Sequence, residues 1–114
     1  MADTQRYHAA CAAALAGTGQ GKDAAGLDEA QRSAWRKQAL DWLAADLAAL
    51  TARAKKAAGR PIVLQQMTHW LTDPNLSAVR DKPSLAKLPE KEREQWRKLW
   101  ADVESLRLKA SAAK

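Results

Sequence analysis

The chain has 114 residues, 19 lysines and arginines, 13 aspartates and glutamates, and a formal net charge of +6. This is the length of one ordinary domain, and 26 of the residues are alanines, so we expect one core with few large side chains. The only cysteine is Cys11, which excludes an internal disulfide and a zinc site built from several cysteines.

The pattern of apolar residues predicts an all-α chain. β-Branched residues are scarce, and no run alternates apolar and polar residues with period two. No apolar stretch approaches the ~18 residues of a membrane span, and the first residues lack the charged start and apolar middle of a signal peptide. We therefore expect a cytoplasmic protein without a membrane segment.

A compact bundle of about four helices is predicted. The first helix lies within residues 1–16, and the glycine-rich segment 17–26 is predicted to be a loop. The second helix covers residues 28–58, which makes it about 45 Å long. A break near Thr51 is an alternative for this helix.

The third helix is predicted over residues 61–73, since Pro61 suits a first turn and the Asp-Pro pair after Thr72 ends it. Residues 74–88 are predicted to be a loop with a short turn, held by Leu76 and Val79.

The fourth helix, residues 89–108, has the most complete sequence pattern. Pro89 suits its start, and three glutamates follow where the positive end of the helix dipole favours them. Large apolar residues then recur every three or four positions: Trp96, Leu99, Trp100, Val103 and Leu106. Residues 109–114 are predicted to be a frayed tail.

Tryptophans are expected to supply much of the core, because each can bury up to ~250 Å². The predicted core residues are Trp35, Trp42, Leu43, Leu47, Trp70, Trp96, Trp100 and Val103. Asp46 falls inside the apolar arc of the second helix. A buried carboxylate needs a partner, so we expect it to accept from an indole N–H, a backbone amide or an arginine of another helix.

Motifs for catalysis and metal binding are missing. The sequence has no nucleophile motif G-x-S-x-G and no zinc motif H-E-x-x-H, and its GTGQGK segment lacks the preceding strand and the Ser or Thr after Lys22 that a phosphate loop has. Cys11, three residues after His8, is expected to be a small buried apolar residue, since His69 is the only other histidine. We predict no enzyme activity, no cofactor and no metal.

Basic and acidic residues are mixed along most of the chain, but four basic residues form a cluster: Arg53, Lys55, Lys56 and Arg60. Cations near a helix end complement the helix dipole, which is the interpretation we favour. The alternative is a patch that binds nucleic acid. Residues 1–57 carry 8 basic and 6 acidic side chains, and residues 58–114 carry 11 and 7, so neither half is a basic arm.

Four segments together resemble a known family. These segments are residues 7–15, which start YHAAC, and residues 38–43, 69–81 and 85–103. The first resembles the first helix of a tetratricopeptide repeat. The other three resemble the helical region that follows such repeats in planctomycete-type proteins and serine/threonine protein kinases.

The resemblance implies a bacterial, non-catalytic helical module that caps a repeat array, with any kinase domain located in other sequence. Its expected partner is another protein or the preceding repeats, because the last repeat of an array exposes an apolar face. Two alternatives remain: a nucleic-acid-binding domain that uses the basic cluster, and a homo-oligomer that pairs through the second helix.

Overall fold

The computed structural model describes residues 3–19 and 26–112, and the remaining residues, including most of the predicted glycine-rich loop, lie outside that description. The all-α prediction is confirmed: the described residues contain helices and no strand. The expected number of about four helices is wrong, because residues 3–19 and 26–112 alone contain six α-helices. They are α1 (Asp3–Gly17), α2 (Glu29–Arg53), α3 (Arg60–Thr72), α4 (Ser77–Arg80), α5 (Lys82–Leu85) and α6 (Glu90–Ala112).

The start of α2 is fixed by a capping box. The carboxylate of Asp28 accepts from the backbone N–H of Gln31 at 2.8 Å, and the Gln31 side chain accepts from the Asp28 N–H at 2.9 Å. These two hydrogen bonds satisfy donors that an uncapped helix end would leave unpaired.

The end of α2 differs from the prediction, since the helix stops at Arg53 and a short 3-10 turn, Ala57–Gly59, leads into α3. The last large apolar side chain of α2 is Leu50, and the residues beyond it are small or charged. Helix propensity alone does not hold a terminal turn without burial of an apolar face. The chain therefore folds back at this point, close enough that a Cβ on Gly59 would lie 2.5 Å from the Arg53 carbonyl oxygen.

The segment 74–88, predicted as a loop with a short turn, contains a 3-10 turn (Pro74–Leu76) and the two single-turn helices α4 and α5. Leu76 and Val79 are fully buried, and Leu85 and Leu88 are nearly so. One apolar side chain every three to six residues is enough to hold these short helices on the core.

The C-terminal tail is also more ordered than expected, because α6 continues to Ala112. Ala110 is 5% exposed and follows Leu106 by one helical turn, so it extends the buried stripe of the helix. The prediction of fraying from residue 109 is therefore wrong for residues 109–112, and residues 113–114 lie outside the described chain.

The long helices pack in two pairs, α1 with α2 and α3 with α6, and the two pairs share one core. Trp96 and Trp100 stack in this core with their ring centroids 6.4 Å apart. Six of the predicted core residues are buried: Leu43, Leu47, Trp70, Trp96, Trp100 and Val103. Trp42 is partly buried and packs against them.

Trp35 does not belong to the core, since it is 42% exposed. The next residue of α2, Arg36, points into the protein instead and is 3% exposed. Successive side chains on a helix point about 100° apart, so an inward Arg36 turns Trp35 toward solvent.

Candidate interaction groove

A groove of about 820 Å³ lies between α2 and α6, and we call it the α2–α6 groove. Its lining residues on α2 and just after it are Leu40, Asp41, Ala44, Leu47, Ala48, Thr51, Ala54 and Lys55. Its lining residues on α6 are Gln95, Lys98, Leu99, Asp102, Ser105, Leu106 and Lys109, and Arg60 of α3 completes it.

The groove has an apolar floor and low walls. Leu47, Leu99 and Leu106 form the floor and are buried against the core. Ala44 and Ala48 are exposed on the α2 side. Because these alanines carry only a methyl group, they leave open the space that a larger side chain would fill.

Arg36 and Glu92 join the N-terminal half of α2 to the first turn of α6. The guanidinium of Arg36 donates to Glu92 Oε1 through Nε at 2.5 Å and to Glu92 Oε2 through Nη2 at 3.0 Å. It also donates to the carbonyl oxygen of Gly17 at 2.8 Å and to Glu29 at 2.7 Å. The hydrogen bonds to Glu92 are the main reason that the pKa of Arg36 lies above its ordinary value. This junction holds the two helices side by side at one end of the groove.

Charged side chains form the rim of the groove. The Lys98 ammonium lies 2.9 Å from Asp102, and the Lys37 ammonium lies 3.2 Å from Asp41, so both acidic rim residues are paired within their own helix. Lys55, Arg60 and Lys109 have no carboxylate partner among residues 3–19 and 26–112. The rim therefore carries an excess of positive charge.

The predicted basic cluster is divided by the fold. Lys55 and Arg60 line the α2–α6 groove, whereas Arg53 lines a second cavity, and Lys56 is exposed and lines neither. The Nε of Arg60 also donates to the carbonyl oxygen of Ala54 at 3.0 Å, which holds the guanidinium near the end of α2. The four cations do not form one continuous patch on a single helix face.

The second cavity, of about 200 Å³, lies beside Asp46 and His69 and is lined also by Tyr7, His8, Leu50, Arg53, Gln66 and Trp70. Asp46 is 4% exposed and accepts from Arg6 of α1 at 2.7 Å, so its partner is an arginine of another helix. Trp70 is the only tryptophan that lines this cavity, and it is 1% exposed. The other four indoles therefore lie outside this cavity.

A polar cluster that sequence reasoning missed surrounds Asp73. Its carboxylate accepts from the Tyr7 hydroxyl at 2.6 Å and from the Asn75 N–H at 2.9 Å, and His69 Nε2 lies 3.3 Å away. Burial alone would raise the pKa of Asp73, but the hydrogen bonds from Tyr7 and Asn75 and the nearby His69 and Arg80 leave it below its ordinary value. Asp73 is therefore a carboxylate at neutral pH.

Cys11 is buried, and its thiol lies 3.9 Å from Asp73 Oδ2. Burial, with the Asp73 charge, raises the pKa of this thiol to about 11. The thiol stays protonated at neutral pH, which does not suit a nucleophile or a metal ligand. Within the described chain, no group of three His, Cys, Asp or Glu residues is arranged to hold a metal ion.

The sequence contained a weak signal for the α2–α6 groove and none for the Asp73 cluster. Ala44 and Ala48 are spaced by one helical turn, but alanines at this spacing occur throughout the chain. The partners of Asp73 and Arg36 lie 66 and 56 residues away, and such pairs cannot be deduced from local patterns.

Comparison of this chain with protein-family models, with curated proteins and with solved structures gives no match. Among the described residues, no helix combines the length and the apolar character needed to cross a membrane.

Proposed function

We propose that this chain is a non-catalytic helical interaction module that receives an amphipathic helix of a partner protein in the α2–α6 groove. The observation that carries the proposal is the form of that groove: an apolar floor of leucines, small alanine walls and a charged rim. Grooves of this form bind a helix through apolar side chains spaced at i, i+3, i+4 and i+7.

The dimensions of the groove support a helical occupant. Its lining runs along α2 from Leu40 to the end of the helix, continues to Lys55 just after it, and runs along α6 from Gln95 to Lys109. Fourteen or fifteen residues of helix are about 21 Å long, so the groove accommodates about four turns of a partner helix. A helix also satisfies its own backbone hydrogen bonds, as an apolar floor requires.

The test is a selection of helical peptides from a library of 16-residue sequences with apolar residues at i, i+3, i+4 and i+7 and random polar positions. We expect selected peptides to bind the native chain and to lose binding to the double variant Ala44→Gln/Ala48→Gln, whose longer side chains fill the groove. The matched control is Ala45→Gln/Ala49→Gln, because these two exposed alanines of α2 do not line the groove.

Both variants place glutamine, a good helix former, at exposed positions one turn apart, so their stabilities should be equal. Selection of no helical peptide, or equal loss of binding in the two variants, would refute the groove as the binding surface.

We further propose that the module caps a tetratricopeptide-repeat array in a larger bacterial protein that can include a kinase domain. The resemblance of residues 7–15 and of three later segments to the region that follows such repeats supports this position. The test is to read the gene sequence upstream of this segment. Repeats of about 34 residues encoded there in the same reading frame support the proposal, and an unrelated upstream sequence contradicts it.

The second candidate function is nucleic-acid binding, favoured by the exposed and adjacent Lys55 and Lys56. Such binding depends steeply on salt, because each phosphate contact releases counterions. Retardation of DNA or RNA at low salt that is lost at higher salt and in Lys55→Gln/Lys56→Gln would support it. No retardation at low salt would remove it.

A further inference from the structure

We infer that the helix received by the α2–α6 groove carries acidic residues on the flanks of its apolar stripe. This inference rests on the proposed function, and it adds the chemistry of the partner. It follows from the balance of charges on the rim and from their position along the groove.

The rim carries six charged side chains: Asp41, Lys55, Arg60, Lys98, Asp102 and Lys109. The two aspartates are already paired with lysines of their own helices, at 3.2 Å and 2.9 Å. They therefore add little attraction for a basic partner.

The three remaining cations lie toward one end of the groove. Since Arg36 and Glu92 join the N-terminal half of α2 to the first turn of α6, the last residues of both helices lie away from that junction. Lys55 follows the end of α2, Arg60 begins α3, and Lys109 is in the last turn of α6.

The helix dipoles offset these cations only in part. The C-terminal end of a helix is equivalent to about half a negative charge, so the ends of α2 and α6 contribute about one negative charge against three positive ones. The residual positive potential beside an apolar floor favours a partner helix with glutamates or aspartates. It disfavours a second copy of this chain, because two copies would bring like-charged rims and two net charges of +6 together.

The experiment uses three blocked 16-residue helical peptides with the same leucine stripe and with Glu, Gln or Lys at the flanking positions. Binding to the native chain is measured by fluorescence anisotropy at low salt and at physiological salt. We expect the Glu peptide to bind about tenfold more tightly than the Gln peptide at low salt, as expected for three solvent-exposed ion pairs. The Lys peptide should bind most weakly, and the differences should shrink as salt is added.

Two variants of equal net charge identify the cations responsible. Lys55→Gln/Lys109→Gln should remove most of the preference for the Glu peptide, whereas Lys87→Gln/Lys91→Gln should keep it, since Lys87 and Lys91 are exposed and do not line the groove. Equal effects of the two variants would mean that only the net charge matters, and would overturn the inference.

The outcomes separate this inference from the proposed function. If all three peptides bind equally and Ala44→Gln/Ala48→Gln abolishes their binding, the groove binds helices but the acidic partner is wrong. If no peptide binds, both fail. Displacement of the Glu peptide by random-sequence RNA or DNA, or a dimer of the native chain that Ala44→Gln/Ala48→Gln dissociates, would assign the groove to nucleic acid or to a second copy and overturn the inference.

Discussion

The hydroxyl of Tyr7 donates a 2.6 Å hydrogen bond to the buried carboxylate of Asp73, which joins the first helix to the turn after α3 across 66 residues of sequence. The Tyr7 ring also stacks on Trp70, with ring centroids 5.5 Å apart. The same tyrosine therefore connects the α1–α2 pair to the α3–α6 pair through both a polar and an apolar contact.

Replacing Tyr7 by phenylalanine should lower the free energy of unfolding by about 1.5–3 kcal/mol, the range for hydrogen bonds to charged groups. The ring contact with Trp70 is kept, so the change reports the hydroxyl alone. Urea unfolding measures it. In an Asp73→Asn background the same replacement should cost less, and equal costs in both backgrounds would show that the two groups do not interact.

Stability should fall in acid partly through Asp73. Its pKa is lowered in the folded state, so its contribution is fully present above the ordinary value, about pH 4, and is lost as the pH falls through the lower folded pKa. Urea unfolding between pH 7 and pH 2 should show this loss. In Asp73→Asn, the free energy of unfolding should fall less between pH 7 and pH 2 than in the native chain. The same fall in both proteins would contradict the prediction.

Replacing Arg36 by methionine should destabilise the fold by about 2–4 kcal/mol. The change leaves the partly buried Glu92 carboxylate and the buried Gly17 carbonyl without the donor that they share. Thermal or urea unfolding measures the loss. Glu29→Gln is the matched control, because the Glu29 side chain is 71% exposed and an exposed ion pair contributes about 1 kcal/mol or less. Similar losses in the two variants would argue against a central role for Arg36.

Gly17→Ala should destabilise the α1–α2 pair, whereas Gly26→Ala should not. A Cβ on Gly17 would lie 2.5 Å from Arg36 Cγ and 2.9 Å from the Arg32 carbonyl oxygen, so the helices must separate, at a cost of about 1–3 kcal/mol. A Cβ on Gly26 meets no atom within 4 Å. The melting temperatures of the two variants are compared with that of the native chain. An unchanged melting temperature for Gly17→Ala would show that the helices approach less closely.

Trp100→Ala should cost about 3–5 kcal/mol of unfolding free energy, and Trp35→Ala about 1 kcal/mol or less. Trp100 is buried, and its indole N–H donates to the Val79 carbonyl oxygen at 2.8 Å, whereas Trp35 is 42% exposed. Urea unfolding of the two variants tests the difference. Equal effects would mean that both indoles belong to the core.

Local sequence patterns predicted the elements better than their ends. Pro61 and the Asp-Pro pair bracket α3 to within one residue, because proline fixes a backbone angle and lacks an N–H whatever the rest of the chain does. The end of α2 was predicted five residues too late. The alanines after Leu50 favour helix locally, but only packing decides whether a terminal turn is kept.

The candidate groove was less accessible to sequence reasoning than the fold. The helical periodicity of α2 identified Leu43 and Leu47 as inward-facing, but it wrongly included Trp35. It could not predict that hydrogen bonds to Glu92 and Gly17 would place Arg36 inside the protein. Whether a leucine such as Leu99 packs against another helix or forms the floor of an open groove depends on how far apart the neighbouring helices lie.

The sequence by itself determined that this protein is helical and which stripes of its helices avoid water, since backbone sterics, proline, capping side chains and a 3.6-residue period act over a few residues. Only the tertiary structure decided which helices became neighbours. It thereby paired Tyr7 with Asp73 and Arg36 with Glu92, and it left the α2–α6 groove unfilled. Those features depend on contacts between residues far apart in the chain, where the shapes of whole helix faces determine what fits.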